Sequence, residues 1–205
     1  MDLPPAAPAP PRRYRMAGRA RTRAATRQRI LESTRQLLLH APSFDAVGLE
    51  QIAAQAGVAQ KTVQRHFGSK DALLVECAES KRVEPEVIPG DIAGIAHALA
   101  IRYEASMDMA ARCLALEARV PALAELQNNA RSGHWRWLEN AFAPYLPARR
   151  SRLQRRRVAE LFAVTEVHAW HSWRRRFGIS RDLAEQALTE MLEALVARWQ
   201  APAPP

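Results

Sequence analysis

The sequence is short of the residues on which several common functions depend. It holds 2 cysteines in 205 residues, Cys77 and Cys113. They lie far apart and in no metal-like spacing, so no disulfide framework is expected, and a reducing, cytoplasmic setting fits. Glycine is scarce too, with 8 residues. There is no Gly-rich phosphate loop, G-x-S-x-G elbow, HExxH or CxxC pair, so no enzyme is expected. No run of about 18 apolar residues is present, which argues against a membrane span. The N-terminus, MDLPPAAPAPPRRYRMAGRARTR, lacks the apolar stretch of a secretory signal. No β-alternating run and no Asn-Gly hairpin signal occurs. One further absence is local. Residues 57–67, GVAQKTVQRHF, carry Lys61, Arg65 and His66 and no acid.

What is present is charge of one sign, unevenly placed. The formal net charge is +9. Residues 1–70 hold 12 Lys+Arg against 4 Asp+Glu, and residues 71–205 hold 18 against 17. One third of the chain therefore carries nearly all the excess, which suggests an anionic partner such as nucleic acid or an anionic membrane. Hydrophobic residues make up 48%, enough for a real core.

Residues 1–21 are rich in Pro, Ala and Arg and are expected to be extended and disordered. This segment is either a solvated tail or an arm that follows DNA phosphates or enters a minor groove. Beyond it, apolar residues recur at helical spacing. Helices are expected at about 23–40, 49–56, 60–67, 70–82, 92–107, 109–118, 122–143, 150–176 and 181–199. Asp91 and Ser180 stand as N-caps. Pro85, Pro89, Pro121, Pro144 and Pro147 mark breaks, and the last residues, QAPAPP, should fray. The fold class is all-α.

Residues 49–67, LEQIAAQAGVAQKTVQRHF, have the spacing of a helix-turn-helix. Gly57 can close the first helix in the left-handed conformation, and Val58 can pin the turn. In the second helix Val63 and Phe67 fall on one side. Lys61, Thr62 and Arg65 fall within an arc of about 100° on another, flanked by Gln64 and His66. A solvated helix usually mixes charge signs on its exposed face. This one offers donors and a methyl, as a helix in a major groove needs. The other reading is a merely basic face.

These residues resemble the tetracycline-repressor (TetR) family of one-component regulators. The likeness spans about residues 23–75 and rests on Ile52-Ala53, Ala56-Gly57-Val58, Thr62-Val63, Phe67 and Ser69-Lys70-Asp71-Ala72-Leu73. Four positions depart from the family's usual pattern. Gly48 stands where Thr is common, Lys61 where a small residue is common, and Gln64 and His66 where tyrosines are common. The resemblance implies a DNA-binding domain over 22–80 and a helical effector-binding and dimerisation domain over 81–200, with a disordered tail at 201–205. DNA contacts are expected from Arg23, Gln60, Lys61, Thr62, Gln64, Arg65, His66 and Lys70, made to a palindromic operator on double-stranded DNA.

In the second domain, the wheel of 150–176 is apolar nearly all round, as for a helix buried on two sides. Val164, Val167, Trp170 and His171, with Leu188, Met191, Leu195 and Trp199 of the last helix, are the expected faces of a homodimer through the last two long helices. The alternative is an ordinary intradomain core. Leu99, Tyr103, Met107, Cys113, Trp135, Leu138, Phe142, Thr165 and His168 are candidate liners of an apolar effector pocket, and would serve equally as plain core. His168 and His171 with Glu160 or Glu166 could approach a metal, but the spacing is unspecific, and no metal or cofactor is expected. The arginines of 149–157 read as a solvated face. The functional expectation is a DNA-binding transcriptional regulator, a dimeric repressor released by a small, largely apolar effector. The alternative is a regulator with no small effector, controlled by a protein partner or by abundance.

Overall fold

The computed structural model describes residues 12–79 and 84–201, with no strand among them. The chain divides into two units, Met1–Leu73 and Leu74–Pro205. The division falls within the helix Lys70–Glu79.

The first unit contains α1 (Arg12–His40), α2 (Leu49–Ala56), α3 (Gln60–Phe67) and the start of α4 (Lys70–Glu79). The helix α1 begins well before residue 23, so residues 12–21 are helical and not extended. Between Pro11 and Pro42 there is no proline, and Arg, Ala and Leu dominate the stretch; these are good helix formers. Residues 1–11 of the expected arm lie outside the described residues. Ile30, Leu31, Leu38 and Val47 are buried with Ile52, Ala53 and Ala56 of α2 and Val63 and Phe67 of α3. Burying one large aliphatic side chain stabilises the fold by about 1.5–3 kcal/mol.

The turn between α2 and α3 follows from Gly57, which sits at φ 63°, ψ 42°. Its N–H donates to the Ala54 carbonyl at 3.2 Å, and the Val58 N–H reaches the Ala53 carbonyl at 3.0 Å. This is a Schellman closure, satisfying two carbonyls the helix end would leave open. The start of α2 is weaker. Gly48 has no side chain to cap it, and the Gln51 side chain instead accepts from the Gly48 N–H at 2.9 Å.

The second unit contains α5 (Ile92–Leu116), α6 (Pro121–Ala141), α7 (Arg152–Thr165), α8 (Val167–His171) running into a π turn (Ser172–Arg176), and α9 (Arg181–Gln200). The helix α5 packs on α6, α8 and α9, and α7 packs on α6 and α9. Asp91 accepts from the Gly94 N–H at 3.0 Å and Ser180 from the Leu183 N–H at 3.2 Å, so both cap as expected. Pro121 opens α6, where its missing N–H costs nothing.

Two helix expectations change. Residues 92–116 form one helix, because nothing from Ser106 to Ala110 breaks it. Residues 150–176 are interrupted at Glu166, which is extended at φ −71°, ψ 136°. The Thr165 carbonyl is taken there by the buried Tyr103 hydroxyl in place of a helical N–H, while the Thr165 hydroxyl donates to Leu161 O at 2.8 Å. Of the 149–157 arginines, Arg157 is structural. It donates to Tyr145 O and Trp199 O, both at 2.9 Å, tying α7 to the end of α9.

A side chain at Gly57 would strain the left-handed backbone. Gly57→Ala is expected to lower the stability of the first unit by about 1 kcal/mol, read as a lower urea or thermal midpoint with helix content unchanged.

Candidate nucleic-acid interface and effector region

The helix α3 is held by its apolar side. Val63 is fully buried and Phe67 is nearly so, and this fixes which residues face outward. Gln60, Lys61, Gln64 and Arg65 are exposed, and Thr62 and His66 are half-buried. The Thr62 and Val63 N–H groups bond to Ala59 O, starting the helix without a side-chain cap.

The helix α1 completes the surface. Arg27 donates from Nη1 to the His66 carbonyl at 2.7 Å, and its guanidinium lies 4.4 Å from the Phe67 ring centroid. It therefore covers the C-terminal end of α3, where a cation also meets the negative end of the helix dipole. Arg23, four residues earlier, is exposed. Sequence reasoning named Arg23 and not Arg27, because nothing local links residue 27 to residue 66.

Lys70 sits differently from its expected role as a phosphate ligand. Its ammonium donates to Phe44 O at 2.6 Å and lies 4.0 Å from the Phe44 ring centroid, which ties the start of α4 to the loop before α2. Ser69 caps α4 by accepting from the Ala72 N–H at 3.0 Å.

On this surface His66 is moved from its ordinary value. Burial of the ring lowers it, and the cations of Arg23, Arg65 and Arg27 lower it further. The same field that repels a proton here attracts phosphate.

The second unit holds the expected effector liners. Leu99, Tyr103, Met107, Leu138 and Phe142 are packed into its core, Thr165 and Cys113 are buried, and Trp135 packs against the cluster from its edge. His168 is half-buried, and burial lowers its pKa. The centre of this region is a group that sequence reasoning did not single out. His134 on α6 is buried, stacks with Trp137 at 5.7 Å and meets Phe162 at 5.4 Å. Its Nε2 lies 2.9 Å from the Thr165 hydroxyl. That hydroxyl spends its proton on Leu161 O, so His134 is the donor, and its buried Nδ1 acceptor has no partner.

The expected dimer residues separate into two groups. Trp170, Leu188 and Trp199 are buried inside their own unit and are corrected from partner-facing to core. For Trp170 the cause is the break at Glu166, which resets the helical phase so that one continuous wheel no longer applies. The Trp170 indole donates to Glu104 at 2.9 Å, where Arg174 also binds at 2.6 Å, and the Trp199 indole donates to Glu160 at 2.8 Å. Val164, Val167, Leu195 and His171 are half-buried, while Met191 is exposed. Glu160 is engaged by Arg198 and Trp199. No group of three His, Cys, Asp or Glu among the described residues is placed to hold a metal.

A short, acid-free cationic helix following a Schellman turn, carried in a separate helical unit, defines a helix-turn-helix DNA-binding protein. Residues 30–77 match the model for bacterial regulatory proteins of the tetR family. A transcriptional regulator from Rhodococcus sp. Rha1 has the same fold, with a TM-score of 0.66 at 19% identity, over 86% of this chain and 99% of that one. A protein from Mesorhizobium loti MAFF303099 described as a TetR-family transcriptional regulator gives 0.63 at 17%, over 86% and 97%. A transcriptional regulator from Pseudomonas aeruginosa PAO1 gives 0.63 at 15%, over 83% and 90%. No curated protein matches the sequence. The tetR-family match thus covers the helix-turn-helix, and the chain shares the fold of these solved structures. No helix among the described residues is long and apolar enough to cross a membrane.

Burial holds the His134 imidazole down to about 4 from its ordinary 6.5, with the Arg102 cation adding to the effect. The folded value lies below the unfolded one. As pH falls from about 6.5 toward 4, the unfolded chain takes up the proton first and stability is lost. His134→Asn is expected to flatten the fall in melting temperature across that window. His66 and His168, shifted in the same direction, leave part of the slope in place.

Proposed function

We propose that the protein is a dimeric cytoplasmic repressor that places α3 of each protomer in adjacent major grooves of a palindromic operator. A small, largely apolar effector bound in the second unit releases it. The observation that carries the DNA-reading part is the division of α3, with Val63 and Phe67 inward and Lys61, Gln64 and Arg65 outward with no carboxylate among them. Lys and Arg suit phosphates and guanine edges, Gln suits adenine, and Thr62 offers a methyl and a hydroxyl. Arg23 adds a phosphate contact from α1. His66 and Lys70 serve by position, the first as a neutral donor and the second by holding the start of α4.

Two recognition helices about 34 Å apart would read two half-sites and gain avidity. Several apolar side chains on α7 and α9 remain outside their own core. Leu153 is 41% exposed, Leu183 54% and Met191 38%. The α7 positions Arg152, Arg155 and Arg156 are exposed and cationic, and the α9 positions Asp182, Glu190 and Glu193 are exposed and acidic. A two-fold pairing that sets α7 against the partner's α9 would oppose these charges. The half-buried Val164, Val167, Leu195 and His171 would border that contact.

A second reading has an observation in its favour. Leu99, Leu138 and Phe142 are each 0% exposed and Met107 is 1%, so the expected liners already pack as core. A regulator switched by a protein partner or by abundance would have such a unit. A thermal-shift screen with apolar compounds separates the two, since a ligand at 100 times its Kd stabilises by about 2.7 kcal/mol.

The first test is binding to DNA flanking the protein's own gene against a scrambled duplex across a salt series. Selective two-protomer binding with a steep salt slope is expected. Arg65→Ala is expected to weaken operator binding by about 1–3 kcal/mol, or roughly 5- to 150-fold, with unchanged circular dichroism. Operator affinity retained in the folded variant would remove α3 from the reading role. Met191→Glu is expected to shift sedimentation toward monomer and to weaken operator binding. An unchanged dimer would place the interface elsewhere.

A further inference from the structure

The DNA-reading surface makes no use of His134, a buried polar group in the other unit. It sits on α6, is 7% exposed, and its Nδ1 has no partner. The Nε2–H is committed to the Thr165 hydroxyl at 2.9 Å, and that hydroxyl is committed to Leu161 O. Burial keeps the ring neutral at ordinary pH, so Nδ1 is an acceptor. A buried acceptor without a donor is destabilising, and a ligand that brings the donor removes that penalty.

The neighbouring donors are already engaged. The Tyr103 hydroxyl donates to Thr165 O and the Trp137 indole to Pro85 O at 2.8 Å. Arg102 holds the Glu84 carboxylate, with Nη2 at 3.2 Å from Oε1. A carboxylate or phosphate entering here would find this cation paired. An ammonium would lose its hydration beside the Arg102 charge, which is felt at the His134 ring. The position therefore suits a neutral O–H or N–H.

The surroundings are aromatic. Trp137 stacks on the imidazole with the planes 15° apart, and Phe162 is tilted against it at 59°. Phe162 also meets Trp135, with ring centroids 6.2 Å apart. Phe162 and Trp135 are half-buried, so the aromatic group runs from His134 to the edge of the core. A further ring among these would gain offset and edge contacts that an aliphatic chain lacks.

We propose that His134 is the polar anchor of the effector site, and that the effector is a neutral aromatic compound whose hydroxyl or N–H donates to His134 Nδ1. This rests on the effector-release reading and narrows it to a ligand class.

The test titrates the full chain with isosteric pairs: phenol and toluene, indole and benzothiophene, naphthol and methylnaphthalene. The first member of each pair carries the donor and the second lacks it. In the pair that fits, calorimetry should give a Kd at least about tenfold lower for the donor, because a site that hydrogen-bonds a group rejects the analogue without it. His134→Phe should bind both members with affinities within about twofold of each other. His134→Gln, which keeps one donor and one acceptor, should retain the preference, and circular dichroism checks that both variants fold. Nitrogen-15 imidazole spectra of the unaltered chain add a readout that a purely structural histidine would not move. The His134 Nδ1 resonance, identified by its loss in either variant, should shift with the donor member and stay in place with the other. Equal affinities within every pair, no binding by any probe, tighter binding of benzoate than of phenol, or an unmoved Nδ1 resonance would each overturn the proposal. A donor preference with the Nδ1 shift, in a protein whose complex with its flanking DNA stays intact, would uphold the anchor and remove the release reading, so the two fail separately.

Discussion

The geometry of the first unit depends on one left-handed residue. Gly57 ends α2 and, through the Val58 N–H bond to Ala53, aims the chain so that α3 presents Val63 and Phe67 to α1 and α2. Everything exposed on α3 is exposed because those two are buried. Arg27 then adds a bond from the far end, at the His66 carbonyl. The reading helix is thus held at its start by a glycine turn, along its length by apolar burial, and at its end by a guanidinium. A helix of 8 residues has little stability alone, so its orientation is a tertiary property.

The second unit shows the opposite use of polar groups, buried within a core. Tyr103 takes the Thr165 carbonyl, and His134 donates to the Thr165 hydroxyl. Together they sit where α7 gives way to α8. Beyond the break, Glu104 and Asp108 on α5 bind Arg174 and Arg175 of the π turn. Arg174 draws the Glu104 carboxyl below the usual carboxylate range, and Arg175 does the same for Asp108. π turns cost regular hydrogen bonds, and here two arginine–carboxylate pairs and the Trp170 indole hold one against α5. The interrupted segment is anchored on both sides of its break.

The sequence made the first unit more legible than the second. The helix-turn-helix is local, with turn chemistry at Gly57, apolar phase at Val63 and Phe67, and charge at Lys61 and Arg65 all within 11 residues, so α2 and α3 were placed at their observed limits. The α1 extension was obscured because prolines up to Pro11 suggested an extended chain, while the Ala/Arg stretch behind them is helix-forming. The helix wheel over 150–176 failed where it crossed Glu166, because the cause of that break is the Tyr103 hydroxyl, 62 residues away. Lys70 and Arg27 were hidden for the same reason. Their partners, Phe44 and His66, are set by the fold and not by spacing.

The uneven charge of the chain also has a kinetic meaning. Residues 1–70 carry 12 cations against 4 acids, and the remainder is nearly balanced. In the field of a polyanion such a molecule experiences a torque as well as a pull, and diffusional encounters are oriented before contact. Association of oriented charges can exceed ordinary protein on-rates by one to three orders of magnitude at low ionic strength. A second unit of little net charge takes small part in that search. The speed of such a search can then be altered by substitutions in the first third of the chain alone.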